Sequence, residues 1–248
     1  MPRNSSATAK RKKSDRSAKK TRRRTSKSSK CTPALAEAAQ LKSLLFPVQA
    51  PSKRGFIKVS DLHTVAYYTY GNPKGVPHLY LHGGPGGGIN HSITDTFDLK
   101  KYFLVAIDQR GCGKSTPRDE LSENDTQSLV SDIEAVRAEL GVKKWVIVGF
   151  SWGSTLALYY AQQHADKVRG LLIGGVFTAT KKETDYIENG EFVQMVFPRV
   201  WEKYASILKT AAEKRNPAKA YQNKVLGKEG VAEQKKAMRH YTEMEDAI

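Results

Sequence analysis

The chain has 248 residues, 39% of them hydrophobic, with 41 Lys/Arg against 25 Asp/Glu and two cysteines. This length allows one large domain or two small ones, and no apolar run approaches the roughly 18 residues that a membrane helix needs. Cys31 and Cys112 stand far apart, which argues against metal-ligand spacing and a disulfide framework and fits an intracellular chain with reduced thiols.

The charge is uneven. Residues 1–30 hold 13 of the Lys/Arg and a single acid, Asp15, so most of the net +16 belongs to this stretch. The remainder is nearly balanced, and the high pI does not by itself make the body a nucleic-acid binder. Residues 1–33 have almost no apolar side chain larger than alanine. They cannot bury enough surface to offset chain entropy and are expected to be a disordered basic tail. Such a tail can serve as a nuclear address through an import receptor, as a tether to RNA or another acidic partner, or as solvated chain alone. Its Arg- and Ser-rich, acid-poor composition also suits a transit peptide, but an apolar helix face is missing. Met1 is followed by polar and basic residues, which argues against a secretory signal. The expected location is cytoplasmic, or nuclear through the tail.

Residues 34–45, "ALAEAAQLKSLL", predict a short helix that stops before Pro47. "GFIKVSD" and "TVAYYTYGN" predict two strands of a hairpin. "PHLYLHGGPGGG" is a short strand entering a glycine-rich loop, and "YFLVAIDQRGCGKST" repeats that plan. In "DTQSLVSDIEAVRAELG", Leu129, Ile133, Val136 and Leu140 recur at helical spacing, with Gly141 as the stop. "KWVIVGF" is a wholly apolar strand of the kind parallel sheets bury on both faces. "STLALYYAQQHA" is helical, and "VRGLLIGGVF" is the next strand. From about Thr180 the segments are helical, polar and charged. Strands alternating with helices imply an α/β fold around a mostly parallel sheet. The expected domains are the tail (1–33), an α/β core (34–179) and a helical cap (180–248).

Three glycine-bearing stretches follow strands, where such sheets place their sites. Gly149-Phe150-Ser151-Trp152-Gly153 lies between a buried strand and a helix. A bare G-x-S-x-G is weak, but in this setting it describes a nucleophile elbow, in which the glycines permit the turn that lifts Ser151 above the sheet. The backbone N–H of Trp152 can then donate to an oxyanion. The alternative for Ser151 is an ordinary helix N-cap. In His82-Gly83-Gly84-Pro85-Gly86-Gly87-Gly88 the missing side chains allow close backbone approach, and the amide of Gly84 is the favoured second oxyanion donor. A phosphate loop would need the Lys-Ser/Thr that is absent here. His82 begins a tight turn and reads as a structural hydrogen-bonding residue, not a base. In "DQRGCGKSTP", Asp108 and Arg110 read as loop-bracing groups, and Cys112 is the weaker nucleophile candidate beside Ser151.

In this order and spacing, "HGGPGGG", "DQRGCGKSTP" and "GFSWGSTLALYYAQQHADKV" resemble the proline iminopeptidases, serine peptidases of the α/β-hydrolase fold. The likeness is close over residues 44–178 and looser over 179–248. It implies a serine aminopeptidase that releases N-terminal proline from peptides through an acyl-enzyme, with no cofactor, metal or membrane. Ser151 matches the family's nucleophile, and Gly84 and Trp152 match its oxyanion amides. Phe177, in "GVFT", matches an aromatic residue of the proline-ring pocket, and Tyr186 matches another. "FPRVWEKYASIL" resembles the family's "FPEKWERVLSIL", and "YTEME" falls on its "VWEGE". Glu243 would then hold the substrate's free amino group, although Thr242 replaces the tryptophan before it.

The family's orienting Asp and its base His follow the seventh and eighth strands, after the cap. The six histidines, His63, His78, His82, His91, His164 and His240, all lie earlier. The resemblance therefore implies a truncated homologue with about the first six strands, inactive as it stands. "VRGLLIGGVF" would be left with a bare edge that invites association. The alternative reading is a non-catalytic hydrolase-like module whose basic tail binds RNA or another acidic partner.

Overall fold

A computed structural model of the chain describes residues 44–188, 190–227 and 230–245. The basic tail (1–33) and nearly all of the helix expected over 34–45 lie outside these residues. Six strands form one sheet: β1 (Lys53–Lys58), β2 (Thr64–Gly71), β3 (Val76–Leu81), β4 (Tyr102–Asp108), β5 (Trp145–Phe150) and β6 (Val168–Gly174). Their spatial order is β1-β2-β4-β3-β5-β6. β1 pairs antiparallel with β2, and β2 with β4, while β3 runs parallel to both β4 and β5, and β5 parallel to β6.

This order creates a switch point. After β3 the chain crosses to β4 on one side, and after β5 it crosses to β6 on the other. Loops leaving the carboxyl ends of β3 and β5 therefore diverge, and ligand crevices form at such a divergence. His82–Gly88 and the turn at Ser151 are these two loops.

Alternation along the strands divides the core into two layers. Val65, Tyr67, Leu79, Leu81, Val105, Ile107, Trp145 and Ile147 face α1 (Thr126–Glu139) and α2 (Trp152–Gln163), meeting Leu129, Ile133, Val136, Leu156 and Tyr160. The opposite face buries Tyr68, Tyr70, Leu104, Ala106 and Val148 against Phe97 and Leu99. Being covered on both faces explains why β3, β4 and β5 are nearly continuous apolar runs. α1 starts where Asp125 caps the Ser128 N–H at 2.8 Å, and it is followed by Gly141 at φ +62°.

β6 pairs only with β5 among the described residues. Leu171 and Leu172 are exposed although the strand is apolar. An apolar strand with an unpaired edge is a template for further strand pairing. The elements described beyond it are helices: α3 (Lys181–Glu188), α4 (Glu191–Val196), α5 (Pro198–Ala205), α6 (Ala211–Arg215), α7 (Pro217–Leu226) and α8 (Val231–Glu245). They have a core of their own, in which Val193, Tyr204, Leu208, Tyr221 and Met244 are buried. The Tyr204 and Tyr221 rings stack at 4.1 Å, and the Tyr221 hydroxyl donates to the Tyr204 carbonyl. Among the described residues no helix is long and apolar enough to cross a membrane.

One buried ion pair ties a loop of the site to α1. Arg110 Nε and Nη2 donate to the two Asp132 carboxylate oxygens at 2.7 and 2.8 Å, with both side chains at most 4% exposed. Arg110 Nη1 also donates to the Glu123 carbonyl. Removing one member of such a pair strands a desolvated charge. Asp132→Ala is expected to cost about 3–5 kcal/mol, and Asp132→Asn less, because its carbonyl oxygen still accepts. Urea unfolding followed by circular dichroism gives both values, and a loss under about 1 kcal/mol in the alanine variant would contradict them.

Candidate active site

Ser151 begins α2, and its backbone stands at φ 55°, ψ −126°. A residue bearing a β-carbon is held in such a region only by its surroundings, at a cost of about 1–3 kcal/mol. Here the restraints are visible. The Ser151 N–H donates to the Gly174 carbonyl at 3.1 Å, and the Ser151 carbonyl accepts from the Ser154 N–H at 2.8 Å and from the Ser154 hydroxyl at 2.6 Å. Ser151 occupies the N-cap position, yet its hydroxyl makes no capping hydrogen bond. An ordinary capping serine would spend its oxygen on the helix, whereas this exposed hydroxyl is left for other chemistry.

Close packing explains the glycines. A β-carbon on Gly153 would lie 2.2 Å from the Leu81 carbonyl oxygen, and one on Gly149 would lie 2.3 Å from the Gly153 oxygen. The start of α2 thus rests directly on β3 and β5. On the other side the β3 loop reaches Ser151: a β-carbon on Gly83 would be 3.3 Å from Ser151 Cβ and 3.8 Å from its Oγ. Gly84, one residue further, is exposed at φ +118°.

Buried polar groups join the three loops. His82 Nε2 accepts from the Gln109 N–H at 3.1 Å, while Nδ1 lies 2.9 Å from the Gly83 carbonyl and 3.1 Å from the Gly88 nitrogen. A proton on Nδ1 satisfies the Gly83 and Gln109 contacts together. Burial holds the His82 pKa below the ordinary histidine range, against the opposing pull of the Gly83 carbonyl and the Asp108 carboxylate. The Gln109 carboxamide donates to the His82 carbonyl and accepts from the Trp152 indole N–H, each at 2.9 Å. Asp108 takes the Tyr68 hydroxyl (2.7 Å) and the N–H groups of Ile89 (2.7 Å) and Lys114 (2.8 Å). It braces loops, and Arg110 does likewise through Asp132. Cys112 is buried, its thiol pKa raised by desolvation, which disfavours a thiolate.

Phe177 is half-buried just past β6. Its N–H donates to the Ser154 hydroxyl at 3.0 Å, and its carbonyl accepts from Thr155 at 2.6 Å. The first turn of α2 therefore fixes Ser151 and Phe177 together. Tyr186, on α3, is exposed and packs its ring 5.7 Å from Phe192. Glu243, on α8, pairs with Lys203 at 2.6 Å, which holds its carboxyl below the usual range. Among the described residues no hydrogen bond joins Ser151 to a histidine. His63 bonds the Ser122 carbonyl, His78 the Val76 carbonyl, His91 the Tyr70 hydroxyl and His240 the Lys203 carbonyl, while His164 lies against the Tyr160 ring.

Three residues that brace the site were not singled out from the sequence: Gln109, Ser154 and Asp132. Only Asp132 carried a usable signal. It falls at i+3 from Leu129, inside the apolar stripe that continues through Ile133 and Val136, and an acid there needs a buried cation.

A serine raised on a strained strand–helix turn at a sheet switch point, backed by a glycine loop, is the arrangement of an α/β-hydrolase. The family model described as alpha/beta hydrolase fold matches residues 77–246, and the chain belongs to that family. Within it, the chain is similar to proline iminopeptidases: 41% identical over 219 residues to one from Arabidopsis thaliana, covering 88% of this chain and 57% of that protein. It is 46% identical over 160 residues to a probable proline iminopeptidase from Leptolyngbya boryana, covering 64% and 50%. The chain thus spans about half the length of the curated relatives it matches. The crystal structure of VinJ aligns with TM-score 0.55 at 23% identity, over 77% of this chain and 60% of that one, a likeness of fold.

Because burial lowers the His82 pKa, acid should destabilise the fold through this group. Below about pH 6.5 the unfolded chain takes up a proton that the folded state resists, so stability falls as pH drops from the unfolded pKa toward the folded one. Urea midpoints between about pH 7.5 and about pH 5.5 should decline, and the decline should be shallower in His82→Gln. Equal slopes in the two proteins would show that His82 does not carry the effect.

Proposed function

We propose that this site is the nucleophile and oxyanion half of a serine aminopeptidase acting on peptides with N-terminal proline. The observation that carries the reading is the backbone of Ser151, strained, held by Gly174 and Ser154, and faced by the His82–Gly88 loop. The similarity to proline iminopeptidases supports the substrate class.

In this mechanism Ser151 Oγ attacks the carbonyl carbon of the N-terminal proline residue, and its proton passes to a base. The carbonyl oxygen becomes an oxyanion received by the N–H groups of Trp152 and Gly84. Collapse breaks the C–N bond, the shortened peptide leaves as an amine after taking up a proton, and a prolyl ester remains on Ser151. Water then hydrolyses that ester to release proline. Phe177 and Tyr186 supply apolar surface for the pyrrolidine ring. Glu243 receives the protonated ring nitrogen, for which its carboxylate exchanges Lys203 for the substrate cation. An acylated nitrogen offers no such cation, so blocked peptides are rejected.

Among the described residues no histidine hydrogen-bonds Ser151, and the base is the part this reading lacks. Residues 1–248 alone are therefore expected to hydrolyse a prolyl chromogenic amide slowly or not at all, because the oxyanion and binding contributions remain while serine activation is lost. A form of the chain that also carries the later strands of the proline iminopeptidases should turn it over, and Ser151→Ala should lower that rate by at least about a thousand-fold. Such a form that cleaves simple esters but no prolyl amide would sink the substrate assignment. Intact-enzyme rates from residues 1–248, abolished by Ser151→Ala, would show that a base is recruited from within them.

A further inference from the structure

We infer that Gln109 is a positioning residue for the oxyanion site: its carboxamide bridges the carbonyl of His82 and the indole of Trp152, and so fixes the two loops that carry the donor amides relative to each other. The inference rests on the proposed role of the Trp152 and Gly84 amides. The carboxamide is buried, with one contact from each of its polar ends, both at 2.9 Å. Its own backbone N–H holds His82 Nε2 at 3.1 Å. Gln109 thus grips the base of the glycine loop twice and the residue after Ser151 once.

The geometry makes these contacts consequential. The direction of the Trp152 N–H is set by the Ser151–Trp152 peptide plane. That plane is strained at Ser151 and is anchored on its carbonyl side by Ser154. On the other side, Trp152 is tethered through its indole to Gln109. Without that tether the ring can turn, and the amide loses a restraint against relaxing out of its strained orientation. Donors displaced from the oxyanion position lose effect steeply. Glutamine suits the task because one carboxamide supplies a donor and an acceptor on opposite sides without charge. Glutamate would set an oxygen against the His82 carbonyl, and methionine offers neither group.

The test uses the full chain, labelled with nitrogen-15, and two boronic acids, prolyl boronic acid and phenylboronic acid. Boron accepts Ser151 Oγ as an additional ligand, the hydroxyl proton goes to solvent, and the tetrahedral adduct places an oxygen where the oxyanion would form. The three tryptophans give three indole N–H signals, and Trp152→Phe identifies one of them. Gln109→Met should move the Trp152 signal and weaken boronate binding by at least about ten-fold. Trp152→Phe should weaken it similarly, and the double variant no further, because both changes cut one tether. If Gln109→Met does not melt cooperatively, Gln109→Glu takes its place. Affinity lost together with movement of the indole signal supports the inference, and affinity kept with the signal unmoved overturns it in either variant. Affinity kept while the signal moves, affinity lost while it stays, an unmoved signal in Gln109→Met, or losses that multiply in the double variant overturn it. Wild-type protein that binds phenylboronic but not prolyl boronic acid defeats the prolyl assignment alone, and the Gln109 comparison is then read with phenylboronic acid. Binding of neither defeats both.

Discussion

A side chain must stand in a backbone region that side chains disfavour, and most of the local architecture exists to hold it there. Ser151 stands at φ 55°, ψ −126°, and its hydroxyl makes no capping bond to the helix it starts. Relaxation would remove about 1–3 kcal/mol of strain, a sizeable share of the stability of a typical domain. Resistance comes from rigid neighbours. Gly153 and Gly149 bring α2 to within a β-carbon's width of β3 and β5, so the helix start cannot slide. Ser154 then clamps the carbonyl that follows. Alanine at Gly153 would be geometrically incompatible with this contact, since its β-carbon would meet backbone on the adjacent strand.

The polar groups around the turn form a connected set. His82, Asp108, Gln109 and Arg110 are each at most 5% exposed, and each has partners. Asp108 receives three donors from three parts of the chain, β2, the end of the glycine loop and the turn after β4. A buried network with every member satisfied can rigidify a fold, whereas a half-satisfied one costs more than an apolar core. Here the satisfied partners are largely backbone groups of loops. The loops therefore hold their shape without secondary structure, as the glycine run after His82 requires.

Legibility in the sequence follows this division. Strand and helix identities through β6 could be read because burial on one or two faces imposes a pattern: "KWVIVGF" has no other use, and Leu129, Ile133 and Val136 mark one helix face. Ser151 and the glycine loop could be located because turns and close approaches restrict composition. The bracing network was less visible. Gln109 sits in a polar turn where glutamine is unremarkable, and Ser154 looks like any small residue in a helix. Their roles depend on partners 23 to 43 residues away, and hydrogen-bond pairing at such separations leaves no local periodicity. Asp132 was the exception, because a charge interrupted an apolar stripe. Glu243 illustrates the reverse: its place was suggested by likeness alone, and its partner Lys203 could not have been inferred from spacing.

The two halves of acyl-transfer chemistry make different demands on a fold. Oxyanion donors and a raised serine need fixed backbone, and here the hydrogen bonds that restrain Ser151 and Trp152 come from Gly174, Ser154 and Gln109, with Leu81 packed against the residue that follows. Proton transfer needs a movable charge on a side chain within reach, and among the described residues no histidine hydrogen-bonds Ser151. The turn at Ser151 is thus braced without a histidine bonded to it. Physically this ordering is reasonable. Preorganised amides cannot be improvised when substrate arrives, because reorienting them costs what catalysis would gain, while a base has only to approach a hydroxyl already held in place.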